Sequence, residues 1–207
     1  MSQLVACATA HCVILASDRC VVLLGHGEER CHSVRKLYPL GDSAAVATSG
    51  AAVGIGLSRA ISRALIPRAS PTLAEVEAYA MSVFQREYAA FVHQGSRWFA
   101  RHPEAHRSSY VLIGGRDRAG GFRFSFYASE THDQPYRRLR TTAALTAPRR
   151  LGLEVRLARA AAEEAGPEPI VEVLVEGLRA IARRDDAVAG PFDVAVIDAA
   201  GLRLLTY

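Results

Sequence analysis

Short dense apolar runs and widely spaced apolar stripes take turns along this chain, and each change of period marks a change of element. Residues 3–9 and 12–17 are runs of small or β-branched apolar side chains. His11 lies between them at a tight turn, so the two runs predict a hairpin. Residues 21–24 predict a third strand, followed by a polar loop over 25–33. Two more strands are expected at 37–40 and 44–48, about a Gly41-Asp42 turn. The period then becomes helical. Val53, Leu57, Ile61 and Leu65 fall on one face, with Ser58, Arg59, Ser62 and Arg63 on the other. Pro67 stops that helix. Thr72 and Glu75 form a capping box for the next, whose buried stripe is Leu73, Val76, Ala80, Val83 and Phe91.

Strands return at 110–113 and 122–127, about a turn region at Gly114-Gly115-Arg116-Asp117. Helices are expected near 149–165 and 169–184, the second with Ile170, Leu174, Leu178 and Ile181 as its stripe. A hairpin of 192–197 and 202–205 closes the chain. Strands, two helices, strands, two helices, strands is the order of a layered sandwich, not of a βαβ repeat. Two polar segments, 93–107 with Trp98 and Phe99, and 129–140, read as loops decorating that scaffold.

Composition narrows the classes. A chain of 207 residues, 50% apolar, fits one domain spanning 1–207. It contains no apolar run long enough for a membrane span and no visible signal peptide, so a cytoplasmic location is expected. The net charge of +4 comes from 24 arginines and one lysine, scattered along the chain. No nucleic-acid-binding signature accompanies them, and no nucleic-acid partner is expected. Cys7, Cys12, Cys20 and Cys31 contain no CxxC pair. They read as buried structural thiols, with no metal site.

Several stretches, in order, carry a resemblance. Residues 2–20 resemble the N-terminal hairpin of proteasome β-subunits and their bacterial relatives without a gap. Ser2 stands where that family has its catalytic threonine, and Asp18-Arg19 where it has an acidic residue followed by arginine. Arg35-Lys36-Leu37-Tyr38 is similar to the family's lysine with a leucine-aromatic pair. Thr48-Ser49-Gly50-Ala51 is similar to the strand end and glycine before the first helix. Residues 109–115, Arg184-Asp185 and 192–197 resemble the double-glycine strand, the last helix end and the final strand. The resemblance implies an α+β fold, a four-layer αββα sandwich of the N-terminal-nucleophile hydrolase type, with no cofactor.

The chemistry of such a site explains the residue types. A hydroxyl needs a base beside it to act as a nucleophile, and a free α-amine on the same residue can supply one. The resemblance therefore makes Ser2 the nucleophile once Met1 is removed. Lys36, the chain's one lysine, would tune the amine and hydroxyl, and Asp18 would hold the lysine charged and oriented. Gly50, at the start of a helix, would offer its backbone N–H to an oxyanion. Asp185 would brace the N-terminus through hydrogen bonds. Arg19, Val21, Thr48 and Ala52 would line the substrate pocket.

Three positions depart from the family. Serine replaces threonine and loses the β-methyl that stiffens χ1. Val188 stands where the family has a serine, and a second serine has only Thr142 and Thr146 as candidate counterparts. The function implied is a self-compartmentalised peptidase subunit in a homo-oligomeric ring or spiral, acting on peptides or unfolded protein. Nothing in the chain identifies an ATP-dependent unfoldase as partner. A same-fold amidohydrolase of a small metabolite and a catalytically lapsed scaffold subunit are the alternatives.

Overall fold

The computed structural model describes residues 2–22, 31–65, 72–103, 107–129, 136–139, 143–163 and 166–207. Met1, the end of the expected third strand at 23–24, most of the loop after it, Pro67 and Thr142 lie outside the described residues.

The expected first hairpin forms from β1 (Leu4–Ala8) and β2 (Cys12–Asp18). Thr9 closes its turn, its hydroxyl accepting the N–H groups of His11 and Cys12, both at 3.0 Å. Next come β3 (Cys20–Val22), β4 (Cys31–Ser33), β5 (Leu37–Pro39) and β6 (Ala44–Gly50). The helices α1 (Val53–Leu65), α2 (Leu73–Gln94) and α3 (Ser96–Arg101) follow. Then come β7 (Ser109–Arg116), β8 (Phe122–Ser129), β9 (Arg137–Leu139) and β10 (Ala144–Ala147). The helices α4 (Leu151–Ala162) and α5 (Pro167–Ala182) precede β11 (Phe192–Asp198) and β12 (Gly201–Thr206).

The protein is thus a mixed α+β fold with five helices and two antiparallel five-stranded sheets among the described residues. The first sheet runs β10-β1-β2-β11-β12 and the second β5-β6-β7-β8-β9, with β3-β4 as a separate ribbon. Period-two alternation sends each strand's side chains to opposite faces. From β2, Ile14 and Ala16 join a cluster with Leu157, Leu174 and Leu178 of α4 and α5. Val13 and Leu15 instead meet Ala45, Ala47 and Leu112 of the second sheet. The other face of that sheet, with Val46 and Ile113, packs on Ile61, Val76 and Phe84 of α1 and α2. One apolar cluster therefore lies between the sheets, and each sheet's outer face carries a helix pair.

The capping box of α2 is present, with both the Thr72 and the Glu75 side chains engaged. The face of α1 differs from expectation. Its buried residues are Gly54, Ser58, Ile61, Ser62 and Leu65, so the two serines point inward. Small side chains let this helix sit close on β6: a Cβ on Gly54 would lie 3.2 Å from that of Thr48. Gly114 and Gly115 are in strand β7, not in the turn. A Cβ on Gly114 would meet Leu15 Cδ2 at 2.9 Å, and one on Gly115 would meet the Ser43 carbonyl oxygen at 2.7 Å. Close approach, of a Leu15 side chain at Gly114 and of the Ser43 backbone at Gly115, not chain reversal, requires glycine at both. The polar segments carry structure too, α3 in the first and β9 in the second. The short β10, with one large apolar residue in four, pairs with β1; a strand so short and so poor in β-branched residues leaves no period to read.

Gly50 ends β6 with a positive φ of 84°, and a Cβ there would fall 2.2 Å from the Ser108 carbonyl oxygen. Both the left-handed backbone and the contact exclude a side chain. Gly50→Ala should lower stability by about 1–3 kcal/mol, read as a shifted urea midpoint with unchanged slope. An unchanged midpoint would mean that β6 ends differently.

Candidate active site

Of the residues singled out in the sequence, the structure brings Ser2, Asp18 and Lys36 into direct contact. Ser2 precedes β1 and Asp18 ends β2, so the hydroxyl and the carboxylate come from the first sheet. Lys36 immediately precedes β5, and its carbonyl accepts from the Thr48 amide at 3.1 Å, so the amine comes from the second. Lys36 Nζ donates to Ser2 Oγ at 2.6 Å and to Asp18 Oδ2 at 2.8 Å. Its third acceptor is the Cys20 carbonyl. Three acceptors around one nitrogen match the three protons of an ammonium. The Ser2 hydroxyl also donates to the Cys20 carbonyl, at 3.3 Å.

Both ions of the pair are out of water, Asp18 at 0% and Lys36 at 1% exposure. The Asp18 carboxylate accepts two backbone N–H groups, from Gln3 at 2.7 Å and from Cys20 at 2.8 Å. Burial raises the Asp18 pKa above the ordinary carboxylate value, opposed by the charge of Lys36 and these hydrogen bonds. Burial lowers the Lys36 pKa from its ordinary value, opposed by Asp18.

The remaining predicted residues are placed less directly. Asp185, after α5, accepts from Arg150 Nη2 at 2.7 Å and from the Ala187 amide at 3.2 Å. Arg150 Nε in turn donates to Gln3 Oε1 at 3.2 Å. The expected brace on the N-terminus is therefore made at one remove, through Arg150 and Gln3. Arg19 forms a two-pronged ion pair with Asp193 of β11, which turns its charge toward β12. Gly50 lies at the end of a strand, three residues before α1, not at a helix start.

Thr48 faces α1, buried, with the Ser58 hydroxyl donating to its Oγ1 at 3.4 Å. Alternation along β6 puts Thr48 on the helix side, so its side chain does not line a pocket at Ser2. Val21 is half-buried in β3, and Ala52 is exposed just before α1.

The residues not anticipated are Cys20, Gln3 and Arg150. Cys20 acts through its backbone, which a side-chain motif cannot reveal. Gln3 did leave a signal: it is a polar residue at the head of the apolar run that becomes β1, and it is fully buried. Its amide donates to the Pro148 carbonyl at 2.9 Å. The cysteines also depart from expectation. Cys7 and Cys12 are buried thiols, but Cys20 and Cys31 are joined in a disulfide. No cluster of three metal-ligating side chains occurs among the described residues, and no helix there is long and apolar enough to cross a membrane.

A scan against protein-family models finds no match to this chain, and no curated protein matches it.

Breaking a buried ion pair by removing one partner costs about 3–5 kcal/mol, because the other charge is left uncompensated. Asp18→Asn and Lys36→Met should each lose stability on this scale in urea titrations. The double variant should lose less than the sum of the two, the mark of direct coupling. Additive losses would show that the two ions do not form one unit.

Proposed function

We propose that this chain is an N-terminal-nucleophile hydrolase of the proteasome β-subunit type, cleaving amide bonds with Ser2. The observation that carries the reading is the buried Asp18–Lys36 pair with Nζ 2.6 Å from the Ser2 hydroxyl. The chain has one lysine, and it stands on the one N-terminal hydroxyl. The αββα sandwich of that fold type is part of the proposal. It is supported by the apolar cluster between the two sheets and the helix pair on each outer face.

In this reading Met1 is removed, because a Ser2 nitrogen held in a peptide bond has no basic lone pair. Ser2 Oγ attacks the carbonyl carbon of the substrate amide and gives its proton to the freed α-amine, whose pKa the Lys36 ammonium beside it lowers. The proton passes to the leaving amine as the C–N bond breaks, leaving an ester on Ser2. Water, deprotonated by the same α-amine, cleaves the ester and restores the hydroxyl. Asp18 positions Lys36 throughout. The Gly50 N–H is the proposed donor to the oxyanion. Arg19, Val21 and Ala52 are the residues proposed nearest the substrate, in a cytoplasmic enzyme.

Protein made as a cleavable fusion that exposes Ser2 should take up one β-lactone per chain, read by intact mass. The form retaining Met1 and the Ser2→Ala variant should take up none. Lys36→Ala should slow labelling on the order of 10³-fold. The wild-type rate should rise with pH as the Ser2 α-amine loses its proton, with a midpoint below the ordinary α-amine value of about 8, because the Lys36 ammonium beside it disfavours a second positive charge. Failure of correctly folded, exposed-Ser2 protein to label would remove the hydrolase reading in favour of a scaffold subunit.

Assembly into a homo-oligomeric ring or spiral belongs to the same proposal. Leu151 and Val155 on α4, 60% and 53% exposed, give the outer helix layer an apolar stripe suited to such contacts. Sedimentation at micromolar concentration should show a species several times 22.3 kDa. A monomer across that range would refute assembly.

A further inference from the structure

Cys20 touches every member of the Ser2–Asp18–Lys36 group, and does so with its main chain. Its N–H donates to Asp18 Oδ2 at 2.8 Å. Its carbonyl accepts from Lys36 Nζ and, at 3.3 Å, from the Ser2 hydroxyl. The position of these two backbone groups therefore decides whether the amine and the hydroxyl meet.

What fixes Cys20 is not a large sheet. It opens β3, which pairs only with β4, three residues against three, with Cys20 opposite Ser33 and Val22 opposite Cys31. All of β4 is exposed. A two-stranded ribbon of this length has little stability of its own. The Cys20–Cys31 disulfide, with Cα atoms 5.2 Å apart, fastens it covalently.

We propose that the Cys20–Cys31 disulfide is a positioning element for the Ser2–Lys36 contact, and that its reduction by a dithiol releases that contact. The chemistry balances as ordinary thiol–disulfide exchange. A dithiol thiolate attacks Cys31 Sγ, the Sγ–Sγ bond breaks, and Cys20 leaves as a thiolate that takes a proton. The second thiol of the reductant resolves the mixed disulfide, freeing Cys31 and closing the reductant into a cyclic disulfide. Two electrons and two protons are transferred. Cys7 does not compete in this exchange: it is buried in the cluster under α4 and α5, and burial pushes its thiol up to about 12.

With the ribbon unfastened, the Cys20 carbonyl and N–H leave their partners, and water reaches the amine. Lys36 then regains the proton affinity of an ordinary lysine, and its ammonium no longer sits on the Ser2 hydroxyl. For hydrolysis this inference rests on the function proposed above; for the geometry of the amine it does not.

The single lysine supplies a test that needs no activity. Protein made with ¹⁵N-labelled lysine gives one Nζ signal, whose titration midpoint is measured in the oxidised protein, after dithiothreitol, and in Cys31→Ser. Reduction and Cys31→Ser should each raise the proton affinity of Nζ about tenfold or more, with far-UV circular dichroism unchanged. A Cys7→Ser/Cys12→Ser variant should titrate as the wild type does. In exposed-Ser2 protein, β-lactone labelling should slow by a similar factor.

An Nζ midpoint that stays put after alkylation and mass analysis confirm four free thiols would overturn the proposal, whatever the enzyme does. Loss of the circular dichroism signal on reduction would also overturn it, making the bond a staple of the whole fold. If the midpoint moves in protein that never labels, the positioning role stands and the hydrolase reading falls. Should Cys31→Ser fail to fold, reduction of the wild-type protein decides alone.

Discussion

A buried charge is tolerable only beside its opposite, and this fold is arranged so that Asp18 and Lys36 find each other. The cost of drying either ion is several kcal/mol, more than one contact recovers. That is why the carboxylate also collects the Gln3 and Cys20 amides, and why the ammonium has three acceptors. Once those demands are met, little freedom is left in the first residues of the chain. Ser2 sits where it does because the residue after it is hydrogen-bonded to the carboxylate that holds the amine. Electrostatic satisfaction and candidate chemistry are the same set of bonds.

From that pair a polar chain runs outward. Gln3 links the carboxylate to Arg150, and Arg150 links Gln3 to Asp185. A groove of about 380 Å³ between α4 and α5 ends on Arg150 and Asp185. The N-terminal segment is thus pinned to the outer helix layer as well as to its own hairpin. Arg19 and Asp193 do comparable work on the other side of Asp18, tying the end of β2 to β11 and, through Thr206, to β12.

Much of this was legible before any coordinates. The first hairpin, the capping box of α2, the stripe of α5 through Ile170, Leu174 and Leu178, and the closing hairpin follow from period and turn chemistry. The Ser2–Asp18–Lys36 grouping followed from the isolated lysine and the ordered resemblance. What was not legible has physical reasons. The inward serines of α1 look polar in sequence, yet their small size is what the tight β6 contact requires. By period alone Gly114 and Gly115 read as a turn, and only the resemblance put them in a strand, because a strand glycine announces no period. Thr48 was given a pocket role without counting its parity along β6, which aims it at α1. Asp185 reaches the first residues only through Arg150 and Gln3, and an intervening arginine has no signature. The Cys20 backbone and its disulfide partner depend on a two-stranded ribbon that spacing alone does not predict.

The hydroxyl and carboxylate hang from one sheet and the amine from the other, so their spacing is the spacing of the sheets. Gly114 controls that spacing: with only a hydrogen there, the Leu15 methyls drop into a notch in β7. The notch works as a mechanical detent. Sliding either sheet along the other would lift Leu15 out of it and open the interface at the same moment. The 2.6 Å contact thus bridges an interface keyed by a glycine in the middle strand of the second sheet, which touches neither group.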